Sequence, residues 1–240
     1  MSIEKAVLLS LLELTQSGPV HRNALAKHAK VPKETAEQEL RKLSQSDFFD
    51  EHKGVIDVSP NQRVRMAIQT LKLAADFERV CQLLSWKEFE NIVAEALERN
   101  DYKVLRNFHL KRNSKRWEID IIGLQKPLIL CIDCKHWKRG WRTSAIAKAV
   151  QAQIERTKDF AEELTNYSQK AGLEQWKEAT LIPILMSLIP GPCKFLDDVP
   201  VVSVLQFQDF INELPAQAHL LKNFHQKPQK LDENLQKFCQ

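Results

Sequence analysis

In the first part of the chain the apolar positions recur at helical spacing. Residues 4–16 (EKAVLLSLLELTQ) read as a helix stopped by Ser17-Gly18-Pro19. Residues 21–29 read as a second short helix, and a third opens at Pro32 or Lys33 and runs to Ser44. Phe48-Phe49, a Glu51-His52-Lys53-Gly54 turn and Val55-Ile56-Asp57-Val58 follow as a hairpin pattern with glycine at the turn. Ser59 predicts a helix N-cap with Pro60 at the first helical position. Val64, Ala67, Ile68, Leu71, Ala75 and Leu84 then keep a helical period, which predicts one long connecting helix over 60–84. Ser85 caps a helix over 86–100. From there the pattern changes to strand-like segments at 103–110, 117–124 and 128–136, a helix at 144–168, strands at 179–189 and 199–205, and a helix at 208–214. The second half thus has the order αβββαββα, an α/β fold, and the stretch 222–240 is weakly periodic.

This pattern divides the chain into 1–58, a connector at 59–84, a mixed α/β domain at 85–215 and a polar tail at 216–240. Three short helices and a hairpin are the winged-helix order, and NALAKHAKVPKETAEQELRKL resembles a helix-turn-helix with Ala24, Leu25, Ala29, Val31, Leu40 and Leu43 packed inward. On the third helix Lys33, Thr35, Gln38 and Arg41 or Lys42 face outward, as a major-groove contact requires. Glu34, Glu37 and Glu39 on the same helix repel phosphate, so a winged helix used for protein contact stays open beside the DNA reading.

Composition narrows the function class. The chain has 240 residues, 43% hydrophobic and 28% charged, which is ordinary for a folded protein. No run approaches the roughly 20 apolar residues of a membrane span, and the N-terminus runs directly into the amphipathic pattern, so neither a membrane association nor a secretory signal is expected. A cytoplasmic, nucleoid-associated protein is the expectation. Five cysteines, at 81, 131, 134, 193 and 239, make no disulfide framework. The six glycines form neither GxGxxG nor GxxxxGK[ST], so no nucleotide cofactor is expected. The net charge of +4 conceals a local excess: residues 101–142 carry eleven Lys or Arg against four Asp or Glu. Such an excess suits a polyanionic partner, with a solvated basic loop as the plainer reading.

The chemistry concentrates in Trp117-Glu118-Ile119-Asp120-Ile121-Ile122-Gly123 and Leu130-Cys131-Ile132-Asp133-Cys134-Lys135-His136-Trp137. Alternation along a strand puts Glu118, Asp120 and Ile122 on one face, and Cys131, Asp133 and Lys135 together on a face of the next strand. Charges at the end of a buried strand cost several kcal/mol each when uncompensated. A metal ion and mutual pairing offset that cost. Carboxylates, a carbonyl and water are the ligands Mg²⁺ prefers, and phosphodiester hydrolysis uses such a site with an ammonium group beside it.

Asp120 followed by Asp133-Cys134-Lys135 resembles the PD-(D/E)xK nuclease motif. The helix WKEFENIVAEALERNDYKV is similar to the start of the Mrr-like restriction endonuclease domain, in which a glutamate-bearing helix leads into a GY-V strand. The resemblance spans roughly 85–210 and implies a restriction-endonuclease-like αβββαβ core with a small N-terminal winged-helix domain. It implies a metal-dependent DNA endonuclease of restriction or repair type, with Mg²⁺, or Mn²⁺ as the alternative, and 5′-phosphate products. Glu90, Asp120, Asp133 and Lys135 match the motif positions. Glu90, Asp120, Asp133 and the Cys134 carbonyl would hold the metal, and Lys135 would orient the attacking water. Gln151 or Gln153, the latter preferred, matches a glutamine many relatives place near the metal. Two positions depart from the pattern: Ile119 replaces the motif proline, and Asp101 the glycine of the GY pair. DNA as partner and a homodimer follow by analogy with the fold.

Lys135-His136-Trp137-Lys138-Arg139-Gly140-Trp141-Arg142 interleaves cations with aromatics directly after the motif. Lys138, Arg139 and Arg142 suit DNA backbone contact, while Trp137 and Trp141 suit anchors for the next helix. Cys131 and Cys134 point to opposite faces of a strand, which argues against a zinc site. Two other classes remain open. One is a non-catalytic DNA-binding or junction-binding protein with a nuclease-like fold. The other is a transcription regulator that reads DNA through the winged helix.

Overall fold

The computed structural model describes residues 2–135, 143–188 and 190–228. Lys138, Arg139, Arg142 and the aromatic segment around them lie outside the described residues, as do positions 229–240 of the expected tail. The chain divides into two compact units, residues 1–92 and 93–240. No helix among the described residues is long and apolar enough to cross a membrane.

The first unit contains α1 (Ile3–Leu14), β1 (Val20–His21), α2 (Asn23–Ala29), α3 (Lys33–Gln45), β2 (Asp50–His52), β3 (Val55–Asp57), α4 (Pro60–Lys72) and α5 (Phe77–Gln82). Its sheet has the order β1-β3-β2. Lys53 and Gly54, both at positive φ, close the two-residue β2–β3 turn, the geometry that matches strand twist. Seven consecutive residues of α1, Ala6 to Leu12, are buried, so this helix forms the centre of the unit. Ala36, Leu40 and Leu43 bury the inner face of α3. Residues 60–84 form two helices instead of the single connector expected. A Ser59–Gln62 capping box with Pro60 at the start opens α4. Ala74 then takes a left-handed conformation, and the Asp76 side chain accepts from Arg79 N–H to start α5. An aspartate cap overrode an apolar period that runs through it. Met66, Ala67, Val80 and Leu84 join the same core as Leu8, Leu25, Leu40 and Ile56.

Helix α6 (Trp86–Glu98) follows, opened by reciprocal bonds between Ser85 and Glu88. The second unit continues with β4 (Lys103–Arg112), β5 (Lys115–Gln125), β6 (Leu128–Lys135), α7 (Thr143–Glu162), α8 (Leu164–Ala171), β7 (Ala179–Ser187), β8 (Phe195–Leu196), β9 (Val199–Ser203), α9 (Phe207–Gln217) and β10 (Phe224–Gln226). The sheet order is β4-β5-β6-β7-β9-β8, with β10 also paired to β7. The first three strands are antiparallel, whereas β6–β7 and β7–β9 are parallel. Central strand β6 is buried on both faces from Leu128 to Cys134, which explains its near-continuous apolar sequence. The expected helix over 144–168 is divided at Glu163 into α7 and α8, and the strand over 199–205 ends at Ser203 in a tight helical turn. The stretch after α9 contributes β10, three residues long, to the edge of β7.

Candidate active site

Strands β5 and β6 pair from Gln125↔Leu128 to Ile121↔Ile132, and there the ladder stops. The next residues on the two strands are Asp120 and Asp133. Ile122 and Cys131 are cross-strand partners, so alternation puts Asp120, Asp133 and Lys135 on one face of the sheet. In place of the ladder, Asp120 Oδ2 accepts a hydrogen bond from Cys134 N–H at 2.8 Å. The other edge of β6 stays paired with β7 through Asp133↔Leu185, Cys134↔Met186 and Lys135↔Ser187. The acidic end of β6 is therefore held by backbone on one side and by a carboxylate on the other. It is the carboxyl end of a strand, where open α/β sheets bind ligands.

Helix α7 covers this face, with Phe160 and Ala161 packed in one cluster with Cys131 and Ile122. One and two turns earlier on α7 stand Arg156 and Gln153. Asp133 is 3% exposed. Arg156 Nη1 donates to its Oδ1 at 2.7 Å, and Lys135 Nζ sits 2.7 Å from its Oδ2. Two cations thus compensate one buried carboxylate, as burial of a charge demands. Gln153, fully buried, donates from Nε2 to the Cys131 carbonyl at 2.7 Å and accepts from Arg156 Nη1 at 2.9 Å. The Arg156 guanidinium also lies 5.8 Å from the centre of the Trp117 ring. Trp117 in turn donates to Asp159 Oδ2 at 2.6 Å, and Arg112 donates to Asp159 Oδ1 at 2.7 Å. Burial pushes the Asp159 carboxyl up, but the Trp117 and Arg112 donors outweigh it and hold the group below the usual carboxylate range.

Among the described residues the buried side-chain polar atoms without a hydrogen-bond partner are the Tyr102 hydroxyl and three atoms at this point. Asp133 Oδ2 lies beside the Lys135 ammonium but accepts no well-directed hydrogen bond, Arg156 Nε–H donates none, and Thr157 Oγ1 has no hydrogen-bond partner. A buried carboxylate oxygen in that condition is available to a further cation. Among the described residues no group of three or more His, Cys, Asp or Glu side chains is arranged to hold a metal. Two carboxylates on one face nevertheless fit Mg²⁺, which keeps several waters and takes one or two protein carboxylates. Burial pushes the Cys131 thiol up to about 12, so it stays protonated at neutral pH and offers no thiolate.

The structure brings Asp120, Asp133 and Lys135 to one strand end and ties Gln153 to them through Arg156. Gln151 instead donates to Asp197 on the surface. Glu90 lies on α6 within the first unit and accepts a short bond from Trp86 Nε1. On α3, Lys33, Gln38 and Arg41 are exposed and Thr35 is half-buried; Lys33 stands 4.0 Å from Glu37. Sequence reasoning gave Arg156 no role. Its signal was present in the spacing, since a residue three positions after Gln153 falls on the same face of a helix.

An uncharacterized protein of Archaeoglobus fulgidus is 26% identical over 132 residues, which are 55% of this chain and 92% of that protein. Among solved structures, VC1899 from Vibrio cholerae aligns over 90% of this chain and 51% of its own, at 13% identity and a TM-score of 0.37. Restriction endonuclease FokI aligns over 99% of this chain and 46% of its own, at 16% identity and a TM-score of 0.30. This chain therefore spans about half the length of those two solved chains. The profile of the nuclease-related domain, NERD, matches residues 85–208, which hold the whole of the β5–β6 strand end and its α7 partners. With more than half of its length matched, the chain belongs to the nuclease-related domain family.

Proposed function

We propose that the second unit is a Mg²⁺-dependent endonuclease that hydrolyses DNA phosphodiester bonds in the PD-(D/E)xK, Mrr-like manner. The observation that carries this reading is the opening of the β5–β6 ladder at Asp120 and Asp133, with the buried Asp133 facing Lys135 at 2.7 Å. Asp120, Asp133 and the Cys134 carbonyl would hold the metal. When bound, the metal polarises the scissile phosphate and makes water a stronger nucleophile at neutral pH. Every other function falls to side chains of this chain. Lys135, 28% exposed at its side chain against 14% for Arg156, is the cation that can turn from Asp133 toward an incoming phosphate and orient the attacking water. Arg156 stays behind, clamped by Gln153 and Trp117, and keeps Asp133 aimed. The first unit has the element order of a winged helix, and we assign the exposed Lys33, Gln38 and Arg41 of α3, with Thr35, to duplex contact.

The test is nicking of supercoiled plasmid by the purified chain in Mg²⁺ and in EDTA, with Asp120→Asn and Asp133→Asn beside it. Nicking by wild type in Mg²⁺ alone, lost in both variants, supports the proposal. Binding of the plasmid without nicking at any Mg²⁺ or Mn²⁺ concentration moves the protein to the non-catalytic class.

A further inference from the structure

We propose that an open groove of about 400 Å³, lined by His109, Lys111, Arg116, Trp117, Tyr167 and Lys170, binds the phosphodiester backbone of DNA. The proposal rests on the nuclease reading for its choice of polyanion and concerns residues outside the strand end described above.

The β4–β5 hairpin sets two pairs of cations directly opposite one another: Arg112↔Lys115 and Lys111↔Arg116. Like charges at cross-strand positions repel, so each pair needs compensation. The first pair has it. Arg112 meets Asp159 at 2.7 Å, Glu163 at 3.8 Å and Glu162 closer still, and Lys115 meets Glu155 at 3.3 Å. The second pair has none among the described residues: Lys111 and Arg116 are both exposed, and neither side chain forms an ion pair. The third cation, Lys170, donates to the His109 carbonyl at 2.7 Å and lies 4.3 Å from the centre of the Phe108 ring, with no acid partner among the described residues. No Asp or Glu is among the described residues lining the groove.

Three cations around one groove therefore have no acid partner among the described residues, while Arg112 and Lys115, adjacent in sequence to Lys111 and Arg116, are paired with acids of α7 and with Glu163. A row of phosphates supplies the missing charge. Tyr167 fixes the groove wall, accepting from Lys111 N–H at 2.8 Å, so the cations sit on an ordered surface. The groove also adjoins the acids: its Trp117 lies against Arg156, and Arg156 bonds Asp133. A strand lying along it would be delivered toward the scissile position.

The experiment measures anisotropy of a fluorescein-labelled DNA duplex with the full chain in EDTA, across a salt series, for wild type and the double variant Lys111→Gln/Arg116→Gln. The proposal expects a loss of affinity of about tenfold and a fall of about 1.8 in the slope of log K against log salt, from two lost phosphate contacts. Lys111→Arg/Arg116→Lys should restore both. Relief of the cross-strand repulsion should leave the melting temperature of the Gln variant equal or higher. An unchanged affinity and slope would overturn the groove, and so would a lower melting temperature, which would assign the pair to stability. Because EDTA removes cleavage from the measurement, a protein that binds with the expected slope but never cuts leaves the groove standing. One that cuts with an unchanged slope removes the groove alone.

Discussion

Among the described residues each unit buries one carboxylate against an arginine, and the two sites are finished differently. In the first unit Arg63 and Glu88 are 6% and 4% exposed. Arg63 Nε donates to Glu88 at 2.6 Å, Nη1 to Thr15 Oγ1 at 2.6 Å and to the Leu12 carbonyl at 2.9 Å, and Nη2 to the Leu83 carbonyl at 2.6 Å. The second oxygen of Glu88 accepts from Ser85 N–H at 2.6 Å. Every group is satisfied, and the network joins α1, α4 and the start of α6. In the second unit Asp133 meets Arg156 and Lys135, yet its Oδ2 and Arg156 Nε lack a directed bond. A closed network rigidifies a core, whereas one left open at a strand end keeps valence for a ligand. Burial of charge alone distinguishes nothing; completeness of the bonding does.

The contrast yields measurements of decreasing size. Asp133→Asn should lower Mg²⁺-dependent cleavage about 10³-fold while the protein stays folded, since the amide oxygen still accepts from Arg156. Assays of cleavage and melting together check both halves. Glu88→Ala should do the reverse in kind. It strands a buried guanidinium and lowers unfolding free energy by about 3–5 kcal/mol in denaturant titration. Arg156→Gln should lower cleavage about 10- to 100-fold and raise the Mg²⁺ concentration needed for half-maximal rate, because Asp133 loses the group that aims it. A change in stability alone, with the Mg²⁺ dependence unmoved, would make Arg156 structural like Arg63. The smallest effect concerns Cys81. Burial first, then Asp76 and Glu78, push its thiol from 9.0 up to about 12. A raised acid pKa stabilises the fold fully below 9 and loses that contribution as pH rises from 9 toward 12. Cys81→Ala should therefore show a shallower decline of stability across that window than wild type.

The elements of the candidate site were legible because their sequence patterns had one physical reading. Alternation through Trp117-Glu118-Ile119-Asp120 and Leu130-Cys131-Ile132-Asp133 assigned faces, and the register of β5 on β6 agrees with them. Lys135 followed from the same parity. Arg156 escaped because a cation on a polar helix is ordinary until the helix is docked, and only docking puts Arg156 against Asp133. The break at Ala74 escaped for a related reason. Leu71, Ala75 and Leu84 keep a helical period whether or not an aspartate caps a new helix between them. Strand β10 is three residues long and has no periodic signal to offer. The unequal treatment of Lys111 and Arg112, adjacent cations of which one is neutralised, is a property of α7 packing and could not be read from composition.

The most direct measurement cleaves an end-labelled DNA duplex in Mg²⁺ and asks whether the new ends are 5′-phosphates that DNA ligase can reseal. Wild-type protein should give resealable ends, and Asp120→Asn and Asp133→Asn should give none. Equal cleavage by the three proteins, or cleavage that persists in EDTA, would show that the carboxylates at the β5–β6 opening perform no hydrolysis.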